Sequence, residues 1–251
     1  MMSELEQLNA RIVRCTRCPR LVAHREAVAH AKPPRYREWV YWARPVPAFG
    51  DPRARLYVLG LAPAAHGGNR TGRIFTGDRS GDWLYEALHR FGFANQPQST
   101  HRDDGLRLTD CYIAASVRCA PPDNKPLPDE FTACRPYLLE ELRLLSRIRV
   151  VVALGKIAFD QYLKACRELG RTIPAPVPQF SHGARYALPW GVTLLGSYHP
   201  SQQNTFTGKL TRPQFHAVFR EARRMLDRKA AGGDARNAGL IPARPASVRK
   251  G

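Results

Sequence analysis

A short apolar run, Leu56 to Leu61, breaks into a glycine-rich loop that carries the densest set of polar side chains in the chain and ends at Asp78. An apolar run of this length bounded by glycine fits a buried parallel strand. In open α/β sheets, ligands bind just past the carboxyl ends of such strands, so the loop is read as the floor of an active site. The four glycines after the strand let backbone N–H groups approach a phosphate or a planar ring, and Arg70 and Arg73 add charge. Plain connections use the same residues, but Phe75 adds a stacking face and Asp78 a carboxylate. No GK[ST] follows and the glycine spacing is wrong, which excludes a Walker loop and a dinucleotide fingerprint.

Three more runs read as strands: Leu108 to Val117, Arg149 to Leu154 and Thr193 to Tyr198, the last preceded by a short antiparallel return from Arg185 that turns at Trp190-Gly191. Between them the apolar period becomes helical. One helix, capped by Ser80 or Asp82, runs through Trp83, Leu84, Ala87, Leu88 and Phe91 to Gly92; others open at Pro128 or Asp129, at Gly155-Lys156 and at Pro213. This alternation predicts an α/β fold with a central four-stranded, mainly parallel sheet and right-handed crossovers. Ser3-x-x-Glu6 is a capping box that opens an N-terminal helix on Leu5, Leu8 and Ile12. Residues 32–55 hold five prolines and the rings of Trp39, Tyr41 and Trp42; they read as an irregular segment whose aromatics pack against the core. Residues 170–182 read as loop. The domain is placed at 1–228, followed by a basic, disordered tail at 229–251.

The formal charge of +18, from 39 basic and 21 acidic residues, exceeds what solubility needs and points to a polyanion, nucleic acid first. No run approaches the ~20 apolar residues of a membrane span, and the N-terminus has no apolar signal region, so a cytoplasmic protein is expected. In a reducing compartment, close cysteine pairs favour metal ligation. Cys15-x2-Cys18 is such a pair, and Cys119 and Cys134 lie in proline-rich turns, so four thiolates can gather around Zn²⁺ or an iron–sulfur cluster. Cys111 and Cys166 read as small buried hydrophobes. Asn124 follows the second strand and His199 the fourth, beside the same crevice. Each also has a plain reading, a turn asparagine and a structural histidine.

Taken together, Gly60-Leu61-Ala62-Pro63-Ala64-Ala65-His66-Gly67, Gly72-Arg73-Ile74-Phe75-Thr76-Gly77-Asp78, the four cysteines, and His199-Pro200-Ser201-Gln202-Gln203-Asn204-Thr205 resemble the family 5 (type b) uracil-DNA glycosylases of bacteria and archaea. The resemblance covers about residues 5–228. It implies a three-layer α/β/α fold, a [4Fe-4S] cluster on Cys15, Cys18, Cys119 and Cys134 with no catalytic role, and excision of deaminated or damaged bases from DNA. The expected partner is double-stranded DNA and the expected place a bacterial or archaeal cytoplasm, at the nucleoid, with a monomer as the default state. The first motif carries Leu61 and Ala62 where the wider superfamily has a polar residue, which leaves Asp78 as the matched group for orienting water. The asparagine that reads uracil in type a relatives falls at Ala115, so a range including xanthine, hypoxanthine and modified pyrimidines is expected.

In this reading Phe75 stacks on an extruded base, backbone amides around Gly60, Ala62 and Ala65 contact its edge, and Asn124 contacts base or water. His199 donates to the departing base. Gln202, Gln203 and Asn204 enter the minor groove with Phe206 as a wedge. Arg70, Arg73, Lys209 and Arg212 hold phosphates. With no lysine nucleophile recognised at the site, a monofunctional glycosylase is expected. The competing readings are a non-catalytic, zinc-stabilised nucleic-acid-binding module and, behind it, a phosphoesterase, which lacks a carboxylate cluster for metals.

Overall fold

The computed structural model describes residues 2–234. Helix α1 (Glu4–Val13) begins at the expected capping box: the Glu6 amide donates to Ser3 Oγ at 3.3 Å and the Ser3 amide to Glu6 Oε2 at 2.6 Å. Next come α2 (Pro19–His30), β1 (Phe49–Gly50), β2 (Leu56–Gly60), α3 (Gly68–Thr71), α4 (Arg79–Arg90), β3 (Cys111–Ala115) and α5 (Pro128–Leu144). The chain then runs through β4 (Val150–Leu154), α6 (Lys156–Glu168), β5 (Arg185–Ala187), β6 (Thr193–Ser197), α7 (Gln202–Phe206) and α8 (Arg212–Asp234).

The four strands read from the sequence form a parallel centre, and antiparallel β1 and β5 extend it to a six-stranded sheet in the order β1-β3-β2-β4-β6-β5. β5 is the predicted return. β1 is an addition, since two residues pairing with Ile113 and Tyr112 leave no periodic signal in a proline-rich stretch. Alternation along the strands divides the core. Leu56, Val58, Ile113, Val150 and Val152 pack with α4 and α8 on one face. Tyr57, Leu59, Tyr112, Val151 and Leu194 pack with α5 and α6 on the other. This is the α/β/α sandwich. A smaller cluster joins Leu8, Ile12 and Leu21 to Val117, Cys119, Cys134 and Tyr137.

The strand order reverses between β2 and β4: the chain leaves β2 through α4 on one face, reaches β3, then returns through α5 on the other face to pair β4 with β2. A crevice opens at the carboxyl ends of strands where the order reverses. Four helices differ from what the sequence predicts. α2 was not predicted; Pro19 occupies its first turn, where a missing N–H costs nothing. α4 is capped by Asp78 rather than by Ser80 or Asp82. The polar run after His199 closes into α7, with Ser201 Oγ accepting from the Asn204 amide at 3.3 Å. α8 continues past the expected start of the tail at Lys229 to Asp234, and the rest of that tail, 235–251, lies outside the described residues. No helix among the described residues is long and apolar enough to cross a membrane.

Candidate active site

At the β2/β4 reversal lies a cavity of about 750 Å³. The segment after β2 supplies Leu61, Ala62 and Ala64 to its wall, the start of α6 supplies Gly155 to Ala158, and Phe75, Asp78, Asn124 and His199 complete it. An outer chamber of about 530 Å³ shares Ala64, Asp78, Asn124 and Gln202 with it and adds Arg35, Tyr36, Ala65 and His66.

Phe75 is held in a conformation that a bulky residue rarely adopts, with φ at +53° and only 6% of its surface exposed. Two glycines make this possible. A Cβ at Gly60 would stand 2.7 Å from Phe75 Cζ, and one at Gly81 would stand 1.8 Å from the Phe75 carbonyl oxygen. The backbone strain of such a residue, of order 1–3 kcal/mol, persists only where the surroundings fix it. Here it aims the ring into the cavity. Gly60 was expected to contact a base. Instead it lies behind the Phe75 ring, off the cavity wall, with its carbonyl accepting from the Ser116 amide at 2.9 Å and Ser116 Oγ at 3.1 Å.

Asp78 has two tasks in one carboxylate. Oδ1 accepts from the Gly81 amide at 2.9 Å and caps α4. Oδ2 lies against Gly67, where a Cβ would approach it to 2.1 Å. Burial raises its pKa, and amide hydrogen bonds from Gly81 and Ser80 oppose the rise. His199, just beyond β6, faces the Phe75 ring at 5.8 Å. Its carbonyl accepts from Asn204 Nδ2 at 2.8 Å, which pins the turn, while its ring nitrogens have no hydrogen-bond partner among the described residues. Burial lowers its pKa to about 4, so at neutral pH the ring is a neutral donor–acceptor with both nitrogens free for a ligand.

The remaining expected residues divide. Asn124 is exposed in the left-handed region, φ +56°, between the two chambers; Ala62 lines the inner one and Ala65 the outer. Gln202 and Gln203 reach the cavity rim from α7, but Asn204 turns its amide back to the His199 carbonyl. Phe206 is 67% exposed, with Arg79 4.5 Å above its ring. Lys209 lies over Tyr198, and Arg212 pairs with Glu86 at 2.9 Å; both are exposed.

Arg70 and Arg73 do not hold phosphates. Arg70 is buried, donating to the His66 carbonyl at 2.7 Å and the Gly77 carbonyl at 2.9 Å beneath the rings of Tyr36 and Trp39. Arg73 is buried against Asp104 at 2.5 Å, with Ser99 and Thr76 completing its bonds. Both arginines brace the loop from inside.

The sequence reading also missed four groups at the cavity. His66 accepts or donates at 3.0 Å with Tyr41 and has a pKa lowered by burial and by Arg35 and Arg70. Arg35 and Tyr36 come from the irregular segment. Lys156, at the start of α6, stands on the rim in an exposed ion pair with Asp160 at 2.5 Å. Its place after Gly155 at a strand end was the available signal.

The four thiols line a separate cleft, delivered by the end of α1, the start of α2, the segment after β3 and the second turn of α5. Arg25 Nη1 donates to Cys119 Sγ at 3.2 Å and the Arg118 amide to Cys134 Sγ at 3.3 Å. Burial pushes Cys119 to about 11 and Cys134 to about 12, so without a cation both are thiols. Arg25 Nε is buried beside them with no partner. Among the described residues, no three His, Cys, Asp or Glu side chains stand close enough to hold a single metal ion. Cys111 and Cys166 are buried, as expected.

Residues 47–223 match the family model described as the uracil DNA glycosylase superfamily. The chain is 53% identical over 220 residues to the type-5 uracil-DNA glycosylase of Mycobacterium bovis, an alignment that covers 87% of this chain and 81% of the relative. The chain belongs to the type-5 uracil-DNA glycosylases. Similarity to the type-5 enzyme of Thermus thermophilus is 53% over 211 residues, covering 84% and 93%. To a type-4 uracil-DNA glycosylase of Pyrobaculum aerophilum it falls to 30% over 156 residues, 62% of each chain. As a type-5 glycosylase, the protein keeps the Phe75, Asp78 and His199 cavity wholly inside the matched region.

Proposed function

We infer that this type-5 uracil-DNA glycosylase excises uracil from DNA at the β2/β4 cavity, and that Phe75, Asp78 and His199 carry the reaction. The observation that supports this reading is their convergence on one cavity: a strained aromatic face, a carboxylate and a neutral imidazole with free nitrogens. A base in duplex DNA must be turned out of the stack before its glycosidic bond can be attacked. Phe75 gives it a face. As the bond to C1′ breaks, negative charge grows on the base and positive charge on the sugar. The neutral His199 N–H donates a hydrogen bond to the departing base, and the Asp78 carboxylate favours the sugar cation and orients the water that adds to C1′. Asn124 contacts base or water from the loop after β3. The products are free base and an abasic site.

Lys156 stands exposed on the cavity rim, where its amine stays solvated and charged rather than desolvated as a nucleophilic lysine is, so strand cleavage is not part of the reaction. At the end of β3, where type a relatives carry the base-reading asparagine, stands buried Ala115, which has no side-chain donor or acceptor. This supports acceptance of xanthine, hypoxanthine and modified pyrimidines beside uracil. Cys15, Cys18, Cys119 and Cys134 fit a [4Fe-4S] cluster by their chemistry: four thiols share one cleft beside Arg25, whose buried Nε has no partner. Bound there, the cluster ties α1, α2 and α5 to the sheet and supplies no chemistry to the reaction. The enzyme acts as a monomer inside the cell, and the binding-module and phosphoesterase readings are set aside.

Duplex oligonucleotides carrying one uracil, xanthine or hypoxanthine test this reading, with alkali added afterwards to reveal abasic sites. Release is expected from all three and is lost on the order of 10²- to 10³-fold in His199→Ala. Full release by that variant, or strand cleavage without alkali, contradicts the mechanism. Iron with acid-labile sulfide in a brown preparation is expected, and stoichiometric zinc instead overturns the cluster.

A further inference from the structure

The segment from Arg35 to Arg44 is laid along the outside of α3, the single helical turn that follows the cleft loop. Tyr36 and Trp39 lie on the Arg70 guanidinium at 4.0 and 4.1 Å. The Trp42 amide donates to the Arg70 carbonyl at 3.0 Å, and its ring rests on Gly72, where a Cβ would approach it to 2.9 Å. The aromatic rings therefore pack inward. The arginines do not.

One end of this segment, Arg35 and Tyr36, lines the outer chamber with His66 and Gly67. The other, Trp42 and Arg44, lines a further cavity of about 580 Å³ with Gly72, Arg14 and Arg102. The two are separated by α3, a rise of ~6 Å for four residues. In the second cavity the Arg102 and Arg44 guanidinium groups lie over the Trp42 ring at 4.7 and 5.8 Å, which holds both cations at one surface. Arg14 and Arg44 are exposed and have no acidic partner among the described residues, and Arg102 has only Asp103 at 3.6 Å. Within the segment itself three arginines face one acid, Glu38.

We propose that Arg14, Arg44 and Arg102 hold phosphates of the DNA strand on one side of the extruded nucleotide, so that the Trp42 cavity is a second DNA contact continuous with the cleft. Guanidinium groups gathered at one surface suit phosphate oxygens, which they bind through paired N–H donors. Other occupants carry the wrong charge: residues 235–251 hold four basic residues and no acid, and a second copy of a +18 chain repels the first. The proposal rests on the reading of the cleft as the base pocket.

The test is Arg44→Ala with Arg102→Ala, two exposed positions, in the iron-loaded protein. On a uracil duplex with long flanks, KM rises on the order of tenfold and the slope of log K against log salt flattens by about 1.8, near 0.9 per phosphate lost. With one flank cut to ~3 base pairs, ~10 Å at 3.4 Å per step, the variant and the parent become equal; cutting the other flank leaves the difference. Arg44→Lys with Arg102→Lys keeps the parental slope. An unchanged KM and slope on the long duplex, or a difference that survives both truncations, overturns the proposal. If His199→Ala excises uracil normally, the cleft reading fails on its own, since the slope and flank measurements do not depend on that residue.

Discussion

The rings of Phe75 and His199 lie 5.8 Å apart and inclined by 31°, the first delivered by the loop after β2 and the second by the end of β6, two strands that do not touch in the sheet. β4 lies between them, and its end opens the space they face. A flat base that enters there meets an aromatic face and an imidazole with free nitrogens.

The burial that holds His199 near 4 sets its pH behaviour. In the proposed role of neutral donor, His199 imposes no fall in kcat between pH 8 and about 5.5, and activity drops as pH falls through about 4. The same shift acts on stability. The unfolded chain takes up the proton near 6.5 and the folded one near 4, so stability from this group is full above 6.5 and is lost as pH falls through that window. His199→Gln removes this part of the pH dependence of unfolding, measured by urea denaturation at pH 7 and pH 5.

Asp78 joins helix capping to the carboxylate proposed for catalysis, and two substitutions separate them. Asparagine caps as well as aspartate, so Asp78→Asn keeps the melting temperature while kcat falls on the order of 10²-fold. Asp78→Ala loses kcat and also about 0.5–2 kcal/mol of stability. Since burial raises the Asp78 pKa, kcat falls as pH drops through that raised value. The native state binds the proton more tightly there than the unfolded chain, so this group's protonation adds stability as activity is lost.

The Arg73–Asp104 pair is structural. Burial opposes ionisation of Asp104, but hydrogen bonds from Arg73, Leu106 and Thr100 outweigh it and hold the carboxyl down at about 2. Its contribution is present above the unfolded value near 3.8 and is lost as pH falls toward 2. Arg73→Ala leaves a buried carboxylate unpaired and costs about 3–5 kcal/mol. Calorimetry reads that loss, while the salt dependence of DNA affinity in the folded fraction stays parental.

Gly60 controls the Phe75 ring. Gly60→Ala places a methyl group 2.7 Å from Phe75 Cζ, which forces the ring into the cavity or the strand out of register. We expect kcat/KM for uracil excision to fall at least on the order of tenfold, with about 1–3 kcal/mol of overpacking cost. Steady-state kinetics beside thermal melting read both.

Much of the architecture was legible because buried parallel strands are continuous apolar runs and the helices between them keep a strict apolar face. Leu56, Val150 and Thr193 begin strands within a residue of the predicted positions. α2 left no such trace: its only fully buried residues are Leu21 and Arg25, one apolar and one charged, because much of it packs on the thiol cleft. The polar run of α7 likewise lacks an apolar face, and only the Ser201 cap betrays it.

The sequence by itself determined the four parallel strands and the loops beyond them that carry Phe75, Asp78, Asn124 and His199 to one cavity, since each depends on local pattern. Which arginines reach the surface was a tertiary decision. Arg70 and Arg73 stand in the glycine loop like ligand-binding residues, yet folding buries them, because the loop's own carbonyls and Asp104 need partners that water can no longer supply. Arg44 and Arg102 lie 58 residues apart in an irregular segment and a loop, and only the packing of Trp42 on Gly72 brings their charges to one surface.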